Sequence, residues 1–282
     1  MAISALASCH QGEKSNQKIT VKRDSVEISY TQCGNADTTL LFIHGWGINK
    51  GYWENQVKYF CDRYNVVTMD LPGFGESGKN RDVFSLDDYP EDVRTLIDSL
   101  HLKNVILIGH SMSGDIIIQV AAKYPEHIVG VIGIDNLRGV MDKDFSLEEK
   151  KQLDTFMHVL RKEFYNNIIE SAARLFQPST DSAIIKRVIN DIRHTDSTIA
   201  IKTVESIFYF PPKEKEYMQH LGRKLFLVDS DVSPVDTASL AKYCKSGYKV
   251  FWVHGSGHYP MLEKPEEFNG QLEKAIHEVK KG

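Results

Sequence analysis

The sequence predicts an α/β fold with a mostly parallel, twisted sheet flanked by helices and a helical insertion near the middle of the chain. Short apolar runs without polar alternation recur along the chain, as is typical of strands buried on both faces. Helical patterns separate most of these runs, and such alternation indicates a parallel sheet with helices on both sides. The 282 residues, 41% of them hydrophobic, suffice for one large domain of this kind.

The expected strands and helices follow from the period of the apolar residues. Segments 19–23 and 26–31 alternate with period two on either side of Asp24, which predicts an antiparallel pair. Buried strands are predicted at 39–43, 65–70, 104–109, 128–135, 224–229 and 248–253. Helices are predicted at 86–100, 111–124 and 265–280.

One interval breaks the alternation of strands and helices. From about 136 to 222 apolar residues recur at helical spacing, and no strand pattern is found. We therefore expect a leader of disordered composition at 1–17, an α/β core at 18–135 and 223–282, and a helical cap at 136–222. Most apolar residues of the cap should pack in its own core, and a minority should face a pocket.

Charge and composition restrict the partners. A net charge of -4 argues against a nucleic-acid or anionic-membrane partner, since those require a basic surface. No apolar run is long enough to cross a bilayer. We expect a small-molecule substrate and a monomer or homodimer.

The N-terminus and the cysteines leave localisation open. The segment M-A-I-S-A-L-A-S-C resembles the end of a lipoprotein signal, but the basic and apolar parts of such a signal are missing before Cys9. The protein is expected to be cytoplasmic as written, or exported and anchored at Cys9 if an upstream signal segment is missing. Because Cys9, Cys33, Cys61 and Cys244 form no C-x-x-C pair, we expect free or buried thiols.

The stretch V-I-L-I-G-H-S-M-S-G-D-I (105–116) contains a near match to the nucleophile motif G-x-S-x-G. Ser111 follows a predicted buried strand and precedes a predicted helix, which is the context that this motif requires. Gly109 supplies the small residue two positions earlier, and Gly114 would allow a close approach of helix to strand. Ser113 stands where the second glycine is usual. We interpret its hydroxyl as an ordinary polar group of the first helical turn and expect Ser113→Gly to retain activity.

The segment F-I-H-G-W-G (42–47) follows another predicted buried strand. Acyl transfer needs two backbone N–H donors aimed at the developing oxyanion. We expect one from Met112, directly after the candidate nucleophile, and the other from Trp46, with Gly45 and Gly47 letting the loop approach closely. The alternative is a plain turn in which His44 is a buried, hydrogen-bonded histidine.

The chain order Ser…Asp…His places the candidate acid and the candidate general base after Ser111. His258 lies in G-x-G-H-x-P between the last strand and the last helix and is preferred as base over His254, which is closer to the strand. Asp231 falls just past a strand end and is the preferred acid. Asp229 is interpreted as strand-terminal structure, and Asp135, after the preceding core strand, is the alternative acid.

These motifs, taken in order, resemble the α/β-hydrolase superfamily in its capped form. The resemblance rests on H-G-W-G, D-L-P-G-F-G-E-S-G (70–78), G-H-S-M-S-G, D-S-D-V-S-P (229–234) and G-S-G-H-Y-P-M-L-E-K-P. It implies a Ser111–His258–Asp231 triad, oxyanion donors at Trp46 and Met112, and neither a metal nor an organic cofactor. The chain departs from the family pattern at Ser113 and in the acid turn, which lacks the commoner glycine before the aspartate.

The expected function is that of a serine hydrolase that cleaves an ester or similar acyl bond through an acyl-enzyme. Carbon–carbon bond hydrolase, lactonase and cofactor-free haloperoxidase activities on the same triad remain open, because the fold alone does not choose among them. Haloalkane dehalogenases and epoxide hydrolases are similar but have an aspartate at the nucleophile position. A non-catalytic, ligand-binding hydrolase-like protein is the alternative from another class.

Overall fold

The structure, a computed structural model, describes residues 17–281. Eight strands form one sheet in the order β1-β2-β4-β3-β5-β6-β7-β8. Their bounds are β1 Gln17–Thr20, β2 Glu27–Cys33, β3 Thr39–Ile43, β4 Asn65–Met69, β5 Val105–His110, β6 Ile128–Ile134, β7 Leu225–Ser230 and β8 Tyr248–Val253.

The sheet is parallel except around its second strand. Strand β2 pairs antiparallel with β1 on one side and with β4 on the other. Strands β4, β3, β5, β6, β7 and β8 pair parallel throughout. Their carboxyl ends therefore lie along one edge of the sheet, where the loops that follow them meet.

Helices connect the strands and cover the sheet. Within residues 17–281 they are α1 Glu54–Phe60, α2 Tyr89–Ser99, α3 Ser113–Lys123, α4 Leu147–Lys162, α5 Phe164–Ala173, α6 Ser182–His194, α7 Ser197–Tyr209, α8 Pro211–His220, α9 Thr237–Tyr243, α10 Pro260–Glu263 and α11 Pro265–Val279. No helix in this part of the chain combines the length and apolarity needed to cross a membrane.

Alternation along the buried strands divides the core between the two faces of the sheet. In β3, Leu41 and Ile43 pack in the cluster that includes residues of α2 and α3. Leu40 and Phe42 point the other way and pack with residues of α1 and α11. Because successive side chains of a strand point to opposite faces, a strand covered on both sides must be apolar at every position.

The predicted fold class is confirmed. The six buried strands lie within one residue of their predicted limits, and segments 19–23 and 26–31 fall in or beside the β1–β2 pair. The helix predicted from 111 begins later, at Ser113, because Ser111 has a backbone φ of +52° that no right-handed helix accommodates.

Five helices, α4 to α8, lie between the neighbouring strands β6 and β7. We call residues 147–220 the helical insert. Part of it has a small core of its own, in which Met157, Leu160 and Phe164 pack with Ala200 and Val204. Burial among its own helices thus accounts for much of the apolar pattern in this segment.

The cysteines differ in part from the expectation of free thiols. Cys33, at the end of β2, and Cys61, just after α1, form a disulfide across a Cα–Cα distance of 5.7 Å. Their 28-residue separation gave no sequence motif, and only the packing of α1 beside the sheet brings them together. Cys244 is free and buried, as expected. Cys9 and the predicted leader lie outside the described residues, apart from Gln17, which begins β1.

Candidate active site

Ser111 occupies a sharp turn between the end of β5 and the start of α3. Its φ of +52° is unusual for a residue with a side chain and is typical of a strained nucleophile turn. The Ser111 N–H donates to the Ile134 carbonyl at 3.0 Å, and the Gly114 N–H donates to the Ser111 carbonyl at 2.8 Å. A Cβ at Gly109 would lie 2.4 Å from the Ser113 carbonyl oxygen, so the turn requires glycine there. We call residues 109–114 the elbow turn.

His258 lies in the loop between β8 and α10, and its ring reaches back over the elbow turn. The Nε2 atom is 2.8 Å from Ser111 Oγ. Two backbone contacts fix this position: the His258 N–H donates to the Leu175 carbonyl at 2.8 Å, and His110 Nε2 donates to the His258 carbonyl at 2.7 Å. Burial is the main cause that lowers the pKa of His110 to about 3, and the neighbouring His258 lowers it further. The His110 ring is therefore neutral.

Asp135 completes a hydrogen-bonded chain with these two side chains. Its Oδ2 lies 2.5 Å from His258 Nδ1. The other oxygen, Oδ1, accepts from the Ser230 N–H at 2.9 Å, from Ser230 Oγ at 2.5 Å and from the Arg138 guanidinium. Burial would raise the pKa of this carboxyl, but the hydrogen bond and charge of His258, with Arg138, outweigh burial and hold it well below its usual range.

Asp231, the acid preferred from the sequence, does not contact His258. It pairs instead with His254, whose Nδ1 lies 2.9 Å from Asp231 Oδ2, and it accepts from the Gly255 N–H at 3.1 Å. Both side chains of this pair are largely solvent-exposed, at 41% for Asp231 and 67% for His254. The expectation that Asp231 orients His258 is therefore wrong, and the alternative, Asp135, has that position.

Strand register explains this outcome. Residues His110 and Ile134 are paired between β5 and β6, so the next residues, Ser111 and Asp135, leave the sheet at the same level on neighbouring strands. Ser230 is likewise paired with the last residue of β8, and so Asp231 and His254 meet beyond it. The sequence shows which residues follow strands but not which strand ends share a level.

The H-G-W-G loop (44–47) lies against the elbow turn. A Cβ at Gly45 would be 2.7 Å from His110 Nδ1 and 3.1 Å from Ser111 Cβ, so only glycine lets the loop approach this closely. Gly47 has a φ of +72°, a conformation that favours glycine. The Trp46 indole N–H donates to the carbonyl of Ala200 in the helical insert at 3.1 Å.

The backbone N–H groups of Trp46 and Met112 were the expected oxyanion donors. Across residues 17–281, neither N–H donates to a protein acceptor. Met112 directly precedes α3, where the helix dipole adds positive potential. Neither N–H group is thus occupied by a protein acceptor in the described part of the chain.

His44 is buried and hydrogen-bonded, as the alternative interpretation of this histidine proposed. Its Nε2 accepts from the Leu71 N–H at 3.0 Å, which leaves the proton on Nδ1, and Nδ1 donates to the Gly45 carbonyl at 2.7 Å. Burial lowers the pKa of His44, so the ring is neutral. His44 is therefore part of the buried core and also holds the Gly45 carbonyl of the H-G-W-G loop.

Sequence reasoning missed several polar residues that hold the site. Asn136 donates from Nδ2 to the carbonyls of Gly109 at 2.8 Å and Ser111 at 3.0 Å, which supports the elbow turn. Gly114 makes room for this amide, since a Cβ there would lie 2.4 Å from Asn136 Nδ2. The available signal was the segment D-N-L-R (135–138), a cluster of polar residues directly after a buried strand.

A cavity of about 160 Å³ lies beside Ser111 and His258. The helical insert supplies four apolar residues of its wall. The lining residues are Trp46, His110, Ser111, Ile168, Ser171, Ala172, Leu175, Ile192, His258 and Tyr259. The cavity is thus mainly apolar, and the Ser111 hydroxyl and the His258 ring are among its polar groups.

Comparison with known proteins identifies the family to which this fold belongs. A family model described as the alpha/beta hydrolase fold matches residues 38–176, which include the H-G-W-G loop, the elbow turn and Asp135. The chain belongs to the α/β-hydrolase superfamily. The parallel sheet and the strand–turn–helix around Ser111 agree with that membership.

Three relatives illustrate the range of the superfamily around this hydrolase. It is 26% identical to a pimeloyl-[acyl-carrier protein] methyl ester esterase of Yersinia pseudotuberculosis, over 86% of this chain and 94% of the relative. It is 24% identical to 3-oxoadipate enol-lactonase 2 of Acinetobacter baylyi, over 91% and 95% of the two chains. The structure of a thermophilic esterase from Thermogutta terrifontis superposes with a TM-score of 0.79 at 21% identity, covering 94% and 99% of the chains.

A second carboxyl, Asp229, is buried close to Asp135 in this α/β-hydrolase. Asp229 was interpreted as strand-terminal structure, and it lies in β7 with no exposed surface. Its Oδ2 is 3.9 Å from Arg138 Nε, so one guanidinium faces both carboxyls. Burial raises the pKa of Asp229 to about 7, although Arg138 acts to lower it and Asp135 raises it further.

We expect Asp229→Asn to change how stability depends on pH. Between the usual carboxyl pKa of 3.8 and about 7, folded Asp229 holds a proton that the unfolded chain has released, so stability falls as the pH rises through this window. The Asn variant has no carboxyl at this position and therefore does not show this fall in stability. Its free energy of unfolding relative to wild type should rise by on the order of 2 kcal/mol between pH 5 and pH 8, measured by urea denaturation.

Asp231→Asn is the matched control for that measurement. The hydrogen bond from His254 lowers the pKa of the exposed Asp231, so its titration lies below pH 5. The difference between this variant and wild type should change by less than about 1 kcal/mol from pH 5 to pH 8, because the exposed pair with His254 contributes little to stability. Parallel stability curves for Asp229→Asn and wild type would contradict the raised pKa.

Proposed function

We propose that this protein is a serine hydrolase that cleaves an ester or similar acyl bond, with Ser111 as nucleophile, His258 as general base and Asp135 as the orienting acid. The observation that carries the proposal is the continuous hydrogen-bonded chain from Asp135 Oδ2 through both ring nitrogens of His258 to Ser111 Oγ. This is the arrangement by which a serine hydroxyl is activated for attack on a carbonyl carbon.

The reaction follows from these contacts. Ser111 Oγ attacks the acyl carbon while His258 Nε2 takes the hydroxyl proton, giving a tetrahedral intermediate. His258 then returns that proton to the leaving alcohol as the bond from carbon to the alcohol oxygen breaks, and an acyl-enzyme remains. Water attacks the acyl-enzyme with His258 again as base, which releases the acid and restores Ser111.

Asp135 acts by holding the imidazole. Because Oδ2 accepts the Nδ1 proton, the lone pair of Nε2 faces Ser111 Oγ. The low pKa of Asp135 keeps its charge available to stabilise the imidazolium that forms during attack. The Ser230 and Arg138 contacts on Oδ1 fix the carboxylate plane.

Two further assignments complete the proposed site. The Trp46 and Met112 N–H groups are proposed to bind the oxyanion, which is supported by their lack of protein acceptors in the described part of the chain. The helical insert is proposed to act as a cap. This is supported by the apolar residues that it contributes to the cavity and by the Leu175 carbonyl that accepts from the His258 N–H.

A lactonase is the second candidate function, because a full-length relative is named as an enol-lactonase. Ring opening of a lactone is the same acyl transfer, with the alcohol still tethered to the acyl group. The two candidates differ in substrate and share every proposed catalytic residue.

Labelling with a fluorophosphonate probe tests the nucleophile without knowledge of the substrate. Wild type should form a phosphonylated adduct on Ser111, found by mass spectrometry of the labelled peptide, and Ser111→Ala should not be labelled. Equal labelling of both proteins would refute the assignment. Absence of labelling in folded wild type would favour a ligand-binding protein without catalytic turnover.

The acid is tested by comparing the two Asp–His pairs. Asp135→Asn should lower kcat for a p-nitrophenyl ester by about 10⁴-fold, since an amide favours the wrong imidazole tautomer. Asp231→Asn makes the same chemical change in the exposed pair with His254 and should leave kcat within about twofold, as expected of a surface ion pair. The reverse pattern would restore Asp231 as the acid.

Cavity size predicts a preference for short acyl groups. An apolar cavity of about 150 Å³ accommodates a benzene-sized group, and the cavity here is about 160 Å³. Across a series of p-nitrophenyl esters, kcat/KM should be highest for acyl chains of about four to six carbons and at least about tenfold lower at about twelve.

A matched pair of variants separates this effect from general destabilisation. Ala172 is buried in the cavity wall and Ala173 beside it on α5 is exposed. Ala172→Leu should shift the optimum toward acetyl esters, whereas Ala173→Leu should leave the profile unchanged. A chain-length profile that is the same for Ala172→Leu and wild type would place the acyl group elsewhere.

A further inference from the structure

Ser113, where the elbow turn departs from its usual glycine, makes a bond outside its own helix. The residue is fully buried, and its Oγ donates to the carbonyl oxygen of His44 at 2.5 Å. Serines in a helix commonly bond to a carbonyl of the preceding turn. Ser113 lies in the first turn of α3 as predicted, but its hydroxyl joins that turn to the H-G-W-G loop and does not bond within the helix.

The acceptor of this bond lies just ahead of the proposed oxyanion donor. The His44 carbonyl belongs to the peptide between residues 44 and 45. The next peptide carries the Gly45 carbonyl at one end and the Trp46 N–H at the other, and the His44 ring holds that carbonyl at 2.7 Å. Because a peptide is planar and trans, fixing its carbonyl also fixes the direction of its N–H.

We propose that Ser113 is a positioning residue for the oxyanion site: through the His44 carbonyl it sets the orientation of the two peptides that aim the Trp46 N–H. The inference rests on the proposed function. Ser113 stands two residues after Ser111 on the same turn, so one rigid segment sets the nucleophile and, through this bond, one oxyanion donor. A Cβ added at Gly45 would lie 3.1 Å from Ser111 Cβ, so the loop packs directly against the turn that carries Ser111.

Because the loop contains two glycines, specific contacts with the elbow turn are needed to select one backbone conformation. Gly45 and Gly47 are the residues of the loop with the widest choice of backbone conformation. A donor displaced by about an ångström loses much of its effect on a transition state, since the contribution depends on preorganised geometry. A glycine at 113 would keep the elbow turn but release the His44 carbonyl.

The test compares Ser113→Ala and Ser113→Gly with wild type. The readouts are the second-order rate of fluorophosphonate labelling at Ser111, and kcat and KM for a short-chain p-nitrophenyl ester, per titrated active site. Both variants should label and turn over about ten- to hundredfold more slowly, with KM within about twofold, because the oxyanion contact is made in the transition state.

Thr203→Val is the matched control. Thr203 is also fully buried, and its hydroxyl donates to the Ile199 carbonyl of its own helix α7 at 2.8 Å. The control loses a comparable buried hydrogen bond, so its Tm should fall about as much as that of Ser113→Ala. Its labelling rate and kcat per active site should stay within about twofold of wild type.

Each outcome decides between the assignments. Wild-type labelling at Ser111 with equal rates in the Ser113 variants would overturn the role of Ser113 and leave the proposed function standing. Equal losses of kcat in Ser113→Ala and Thr203→Val would show a merely structural role. Failure of folded wild type to be labelled would overturn the proposed function and, with it, this inference.

Discussion

Ser111 lies in the turn between a central parallel strand and a helix, and its backbone φ is +52°. The surrounding structure has to accommodate that turn. The turn exposes the hydroxyl at the edge of the sheet and leaves almost no space on either side. Glycine is needed at 109 because of the Ser113 carbonyl and at 45 because of the His110 ring. Asn136 satisfies the two carbonyls of the turn. A strained backbone conformation persists only where neighbours determine it in this way.

The parallel sheet brings other segments of the chain next to that turn. Strands β3, β5, β6 and β8 deliver the H-G-W-G loop, Ser111, Asp135 and His258 to a single edge. Register then decides which side chains meet. The pairing of His110 with Ile134 sets Ser111 and Asp135 at one level, whereas Asp231 emerges farther out, beside His254.

One guanidinium faces both carboxyl groups near the proposed acid. Arg138 contacts Asp135 and lies near the buried Asp229, so two carboxyls share a single cation. The carboxylate with the richer set of hydrogen bonds keeps its charge, and the other takes up a proton more readily. The helical insert covers the adjacent cavity with apolar side chains.

The sequence by itself determined the order of the strands, the helices near 86–100 and 265–280, the strand–turn–helix around Ser111, the loop at 44–47 and the histidine loop at 258. Each is encoded in a short stretch, as apolar period, small residues or a motif, and local physics suffices to recognise it. Only the tertiary structure decided the partner of His258, the target of the Ser113 hydroxyl and the Cys33–Cys61 disulfide. Those contacts join residues from 28 to 123 positions apart, and they depend on strand register and side-chain direction, which no local pattern specifies.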